Sequence, residues 1–228
     1  MYKESFLMAW ASLIANKLRS LLTMLGIIIG VAAVIALVSI GNGVKQDIEN
    51  SISSLGSNLL VVLPGAPRTP GARSSQGSMK SLKISDYEAI AKLEGVKAAS
   101  PMTNGSYVVI YQNKNWTTSV AGVNSNFQDV NNWTMTSGRF FSDKNVQNRE
   151  RVAVVGQTVV KNLFADEDPV GKEIRVKNIP FRVIGVLKSK GNGTMGNDQD
   201  DTVLIPYTTS MERVEGIDYL RRVYVVAK

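Results

Sequence analysis

The sequence contains no cysteine and no histidine. The first absence removes disulfides, thiolate metal sites and cysteine nucleophiles. The second removes the commonest general base and the commonest metal ligand. Blocks of like charge are missing as well. The formal net charge is +7, yet the basic residues are scattered along the chain (Arg68, Arg73, Lys83, Arg139, Arg151, Lys172, Arg182, Lys190). A nucleic-acid interface gathers its cations on one face or stripe, so this pattern reads as a solvated surface, with no nucleic acid expected as a partner. There is also no GxxxxGK[ST] phosphate loop and no GxSxG nucleophile elbow. The chain is therefore not expected to be an enzyme, and no catalytic, cofactor-binding or metal-ligating residue is assigned.

What the sequence does contain is one long apolar run. Leu21 to Ile40, LLTMLGIIIGVAAVIALVSI, carries no charge. As a helix it spans roughly 30 Å, the thickness of a bilayer's hydrocarbon core. A cleaved signal peptide would have a shorter apolar core and a clear small-x-small cleavage site, so an uncleaved anchor is the reading. Lys3, Lys17 and Arg19 precede the run and only Lys45 closely follows it. By the positive-inside rule the N-terminus is cytoplasmic and the chain after about Gly41 lies outside. Gly26 and Gly30 form a GxxxG step continued by Ala33, a face that lets another helix approach closely.

Elements on either side of the run are amphipathic. Phe6, Leu7, Trp10, Leu13, Ile14 and Leu18 recur at spacings of three and four, which suits a helix over residues 1–20 lying along the inner membrane surface; the alternative for its last turn is a direct extension of the spanning helix. Beyond Gly41-Asn-Gly43, Val44, Ile48, Ile52 and Leu55 repeat at helical spacing up to Gly56, a helix-stopping residue. The expected order is a spanning helix over 21–43, then a stalk helix over 44–57.

Residues 58–228 alternate irregularly between strand and helix signals, which points to an α+β domain and not a doubly wound one. Asn58–Leu63 reads as a strand, residues 64–81 as a Pro/Gly/Ser-rich loop, and Ser85-Asp-Tyr-Glu88 as a capping box. Strand patterns at 107–111 and 116–120 flank a hairpin turn at Asn113-Lys-Asn115. Further strands are expected at 152–155, 173–176, 181–187, 202–205 and 222–226, with helices at 127–131 and 158–164.

Three segments invite a chemical reading and fail on context. Gly191-Asn-Gly193-Thr-Met-Gly196 matches GxGxxG, but the dinucleotide fingerprint needs a helix to follow. Here Asp198, Asp200 and Asp201 follow, ahead of a strand. Those three acids lack the glycine and the bidentate glutamate of a calcium loop. Val154-Val-Gly156-Gln157 resembles the first turn of a nucleotide-binding unit but has a single glycine. No cofactor is expected.

Taken in order, ANKLRSLLTMLGIIIGVAAVIALVSIGNG (15–43), LGSNLLVVLPG (55–65), SGRFFSD (137–143), RVAVVGQTVVKNLF (151–164), DPVGKEIRV (168–176), FRVIGVLKSKG (181–191) and DQDDTVLIPY (198–207) resemble the MacB/FtsX-type ABC transporter permeases. The resemblance runs collinearly from residue 4 to 228. It implies a MacB-like periplasmic core of two subdomains, one near the membrane (58–100 and 201–228) and one inserted (101–200). It also implies a permease subunit of the inner membrane, paired with a second copy as a homodimer, driven by a cytoplasmic ABC ATPase subunit and working by mechanotransmission, with a periplasmic adaptor as a further partner. Such permeases carry four spanning helices, so the chain resembles an N-terminal fragment. The alternative is a stand-alone, membrane-anchored binding or sensor domain.

Overall fold

Asn16 separates two helices. In the computed structural model, which describes residues 2–55, 59–65, 80–165, 167–193 and 196–228, α1 spans Tyr2–Ala15 and α2 spans Lys17–Leu55. The Ser20 amide donates to the Asn16 carbonyl at 3.0 Å, so Asn16 supplies the first backbone acceptor of α2. Asparagine competes with its own backbone and favours helix ends over interiors, whereas Lys17, Leu18 and Arg19 are good helix formers. The break expected at residue 20 therefore lies at Asn16, and the basic pair Lys17/Arg19 belongs to the spanning helix.

α2 is 39 residues long, about 58 Å at 1.5 Å per residue. It passes through Gly41 and Gly43 without interruption, although each glycine costs about 1 kcal/mol relative to alanine inside a helix. The spanning and stalk segments are one helix as far as Leu55. The expected stop at Gly56, and the loop residues 66–79, lie outside the described residues.

The chain divides into a helical unit ending at Asn50 and a unit Ser51–Lys228. In the second, β1 (Leu59–Val62), α3 (Ile84–Ala91), β2 (Val96–Tyr111), β3 (Lys114–Val123), α4 (Phe127–Val130), β4 (Met135–Gly138), α5 (Asp143–Gln147) and β5 (Val152–Val155) are followed by α6 (Gln157–Leu163), β6 (Glu173–Val176), β7 (Ile179–Leu187) and β8 (Thr202–Pro206), then α7 (Tyr207–Thr209), a π-helix (Ser210–Glu215) and β9 (Arg222–Ala227).

The 16-residue β2 organises this unit. Its first part pairs with β9, which carries β1 on its other side, giving a small antiparallel sheet. From Thr103 onward it pairs with β3, and β3 with β8, β8 with β5, β5 with β7, β7 with β6, and β6 with Val109 and Ile110 of β2. These six strands close a circuit. β4 adds to β7 beyond β6. By strand pairing, β8 belongs to the circuit, while Pro101 and Met102 pair with β9 and Thr103 with β3.

Apolar alternation explains the closure. Val109 and Tyr111 of β2, Val120 of β3, Ile174 and Val176 of β6, Phe181 and Val183 of β7 and Val203 and Ile205 of β8 are all buried in one cluster with Val159 and Leu163 of α6. A second cluster lies under α4 and α5, with Phe127, Trp133, Phe141 and Val146. A third joins Leu82, Ala99, Met211, Leu220, Val223 and Val225 beneath α3.

Local chemistry moves two expected boundaries. The β2–β3 turn is the two-residue Gln112-Asn113, with Tyr111 opposite Lys114 and Gln112 at φ 53°, so β3 begins one residue inside the expected turn. At α3 the N-cap is Lys83, whose amide donates to Asp86 Oδ2 at 2.8 Å. Ser85, expected to be the cap, sits inside the helix.

Candidate functional site: the spanning helix and the exterior junction

The segment Lys17–Gln46 is long and apolar enough to cross a membrane. Its large side chains are exposed throughout, Ile27, Leu37 and Ile40 among them. A leucine- or isoleucine-covered helix with every face open is unstable in water but matches a lipid or helix-lined surrounding. At Gly26 and Gly30 a Cβ would meet nothing within 4 Å, so among the described residues of this chain no group requires glycine there.

The described residues of the three segments tested for chemistry are engaged within the chain. Asp200 is 5% exposed; its carboxylate accepts the amides of Lys190 at 2.8 Å and Gly191 at 3.1 Å, and the Ser189 hydroxyl. Asp198 accepts from the Thr158 hydroxyl at 2.6 Å and the Asp200 amide at 2.8 Å. Asp201 accepts from Trp116 Nε1 at 2.9 Å. Asp201 is thus tied to β3, Asp198 to α6, and Asp200 to the segment that follows β7. The glycine amides are occupied in the same way: Gly193 donates to the Asn197 carbonyl at 2.8 Å and Gly196 to the Gly193 carbonyl at 2.9 Å. A phosphate cradle needs such amides open. At Gly156 a Cβ would come within 2.2 Å of the Asp200 carbonyl oxygen, which accounts for that glycine by close backbone approach. Lys190 stacks its ammonium 4.5 Å from the Trp133 ring centre and donates to the Asn131 carbonyl; burial pushes its pKa down, with the Asp200 carboxylate opposing.

Where the small sheet meets the circuit, polar groups are buried together. Thr103 Oγ1 and Ser210 Oγ lie 2.9 Å apart, and the Ser210 hydroxyl donates to Glu215 Oε1 at 3.1 Å. The Glu215 side chain is 2% exposed and lies 3.5 Å from Arg221 Nη2. Asn124 Nδ2 donates to the Tyr87 hydroxyl at 3.1 Å and to the Ala99 carbonyl at 3.0 Å. Gly122 makes room for the π-helix, because a Cβ there would lie 2.4 Å from Ser210 Cβ and 2.5 Å from Thr103 Oγ1. Sequence reasoning missed this cluster. Thr103 and Ser210 stand 107 residues apart, and no local pattern links them.

The MacB-like periplasmic core domain family matches residues 20–228. The macrolide export ATP-binding/permease protein MacB of Rhodospirillum rubrum is 46% identical over 221 residues, 96% of this chain and 33% of that protein. The protein of the same name from Chlorobium luteolum is 41% identical over 218 residues, 95% and 33% of the two chains. This chain therefore spans about a third of the length of the curated relatives it matches. The crystal structure of the periplasmic region of MacB from Actinobacillus actinomycetemcomitans superposes with a TM-score of 0.66 at 27% identity, covering 78% of each chain. The extracellular domain of the noncanonic ABC-type transporter YknZ, from Gram-positive bacteria, shares the fold with a TM-score of 0.61 at 20% identity, over 75% of this chain and 84% of that one.

Proposed function

Because the chain belongs to the MacB-like periplasmic core domain family, we propose that it is the first spanning helix and exterior domain of an ABC export permease in the inner membrane. The observation that carries this reading is α2, one unbroken helix of 39 residues. Its apolar part is long enough for the bilayer, and its remainder leads within a few residues to β1 of the exterior sheet. A continuous helix that enters at the inner surface and runs on past the bilayer is suited to pass movement across the membrane.

In this reading the movement starts at a cytoplasmic ABC ATPase that is a separate subunit or a segment beyond the third of the relatives matched here. Lys3, Lys17 and Arg19 hold the N-terminus inside. Gly26, Gly30 and Ala33 pack against another spanning helix, in a second copy of the permease or in the remainder of its own fold. The exterior domain acts on substrate with a periplasmic adaptor, and its two parts divide at Met102/Thr103 and after Pro206.

Affinity purification of the tagged protein from native membranes tests this. An ABC ATPase is expected to copurify, and ATP addition is expected to change protease sensitivity of the exterior domain. Purification free of any ATPase, with no response to ATP, would sink the permease reading and leave a stand-alone anchored binding or sensor domain.

A further inference from the structure

Among the described residues, the chain passes between the small sheet and the circuit at two places. One is within β2, between Met102 and Thr103; the other is the stretch from the end of β8 through the π-helix to Arg222. A hinge needs a few residues free to absorb changes in φ and ψ. The first crossing offers none, because Met102 is paired with Arg222 of β9 and Thr103 with Gly122 of β3. At the second, the Arg221 amide donates to the Met102 carbonyl at 3.0 Å, which ties the two crossings directly together.

Side chains add to this from both directions. Ser210 donates to Glu215, so Thr103 is the donor to Ser210, and a relay runs from β2 through the π-helix to a carboxylate facing Arg221. Asn124, at the end of β3, holds both α3 through Tyr87 and β2 through Ala99. Aromatic rings fill the gap: Tyr87 meets Tyr207 edge-on with centres 6.4 Å apart, and Phe127 meets Tyr224 at 5.9 Å. Parting the two bodies would leave the buried Thr103 and Ser210 hydroxyls and the Glu215 carboxylate without these partners, and an unmade hydrogen bond at a buried group is costly.

We infer that this junction is a latch that makes the small sheet and the six-strand circuit one rigid arm, with Thr103, Ser210, Glu215, Arg221 and Asn124 as its positioning residues. The inference concerns the exterior unit and stands whether or not the chain works as a permease. In a permease it would mean that displacement arriving at β1 reaches the far end of the circuit undiminished.

The absence of native cysteine makes the test direct. Spin labels at K92C, beside α3, and N113C, at the β2–β3 tip, report the distance between the two bodies in the full chain in lipid nanodiscs. The pair N113C and K161C reports a distance within the circuit. For the unaltered junction, the between-body distribution is expected to be no more than about 1.5-fold wider than the within-circuit one. Thr103→Val with Ser210→Ala is expected to widen the between-body distribution at least twofold and leave the within-circuit pair unchanged. If the double variant does not fold, Arg221→Gln replaces it with the same expectation. A between-body distribution already twofold wider in the unaltered protein would overturn the inference, and so would a folded latch variant whose distribution stays narrow.

Discussion

Gly122 carries the sharpest expectation for a single residue. A methyl group added there would press on Ser210 Cβ and Thr103 Oγ1 at 2.4 and 2.5 Å, and overpacking of this kind costs about 1–3 kcal/mol. Gly122→Ala should lower the urea midpoint of the exterior unit by a corresponding amount without changing its circular dichroism. Asp200→Asn should cost about 2 kcal/mol, because a buried carboxylate that accepts two amides and a hydroxyl is replaced by a group with a single acceptor oxygen. Glu167 supplies a pH signature. The Tyr111 hydroxyl donates to it at 2.8 Å, and with Lys172 nearby this holds its carboxyl below the usual carboxylate range. A carboxyl with a lowered folded pKa contributes stability above its unfolded value, and that contribution fades as pH falls through the folded value. Glu167→Gln should therefore flatten the acid limb of a stability-versus-pH curve below about pH 4.5 and leave the neutral region parallel to the parent. At this scale the sequence is a poor guide. Asp198, Asp200 and Asp201 are visible as an acidic cluster, but their donors come from residues 116, 158 and 189–191, which chain proximity only partly supplies.

At the scale of elements, α2 was legible because twenty uncharged residues and flanking cations need no tertiary context to be read. The continuous passage through Gly41-Asn-Gly43 was also consistent with the heptad-like apolar spacing beyond it. Asn42→Pro should remove a helical hydrogen bond and kink the rod, at about 3 kcal/mol for an interior position. Spin-label distances across residue 42 would shorten if α2 is rigid there and stay unchanged if it is already bent. Strand boundaries were less legible. β3 begins at Lys114 because Gln112 adopts φ 53°, a conformation that sequence propensity assigns to Asn113 or Asn115 more readily. α5 had no apolar repeat to announce it. It forms on the Ser142 cap, whose amide donates to Asn145 Oδ1 at 2.8 Å, and Val146 anchors it.

At the scale of the molecule, β2 takes part in both the small sheet and the circuit, so the two share one backbone. The unit from residue 59 to 228, produced without the helices, should unfold in a single transition by both calorimetry and far-ultraviolet dichroism. Two resolved transitions would show that the sheets fold separately. Orientation is tested on the intact chain: a cysteine at Asn148 should react with an impermeant maleimide in whole spheroplasts, whereas one at Met8 should react only after permeabilisation. Reversal of that pattern would place the domain on the wrong side.

The sequence by itself determined that one helix is long and apolar enough to cross a membrane and that a mixed α+β domain follows, and it set the expected orientation through its charge asymmetry; hydrophobicity, charge and apolar period are local properties and survive without a fold. It also carried the family resemblance, because seven segments retain their order along the chain. Only the tertiary structure decided that six strands close on themselves, that β8 joins the circuit while β9 joins the small sheet, and that Thr103, Ser210, Glu215 and Arg221 meet. Those outcomes depend on pairings between residues up to more than a hundred positions apart, and no local pattern encodes which strand edge or buried hydroxyl will be the partner.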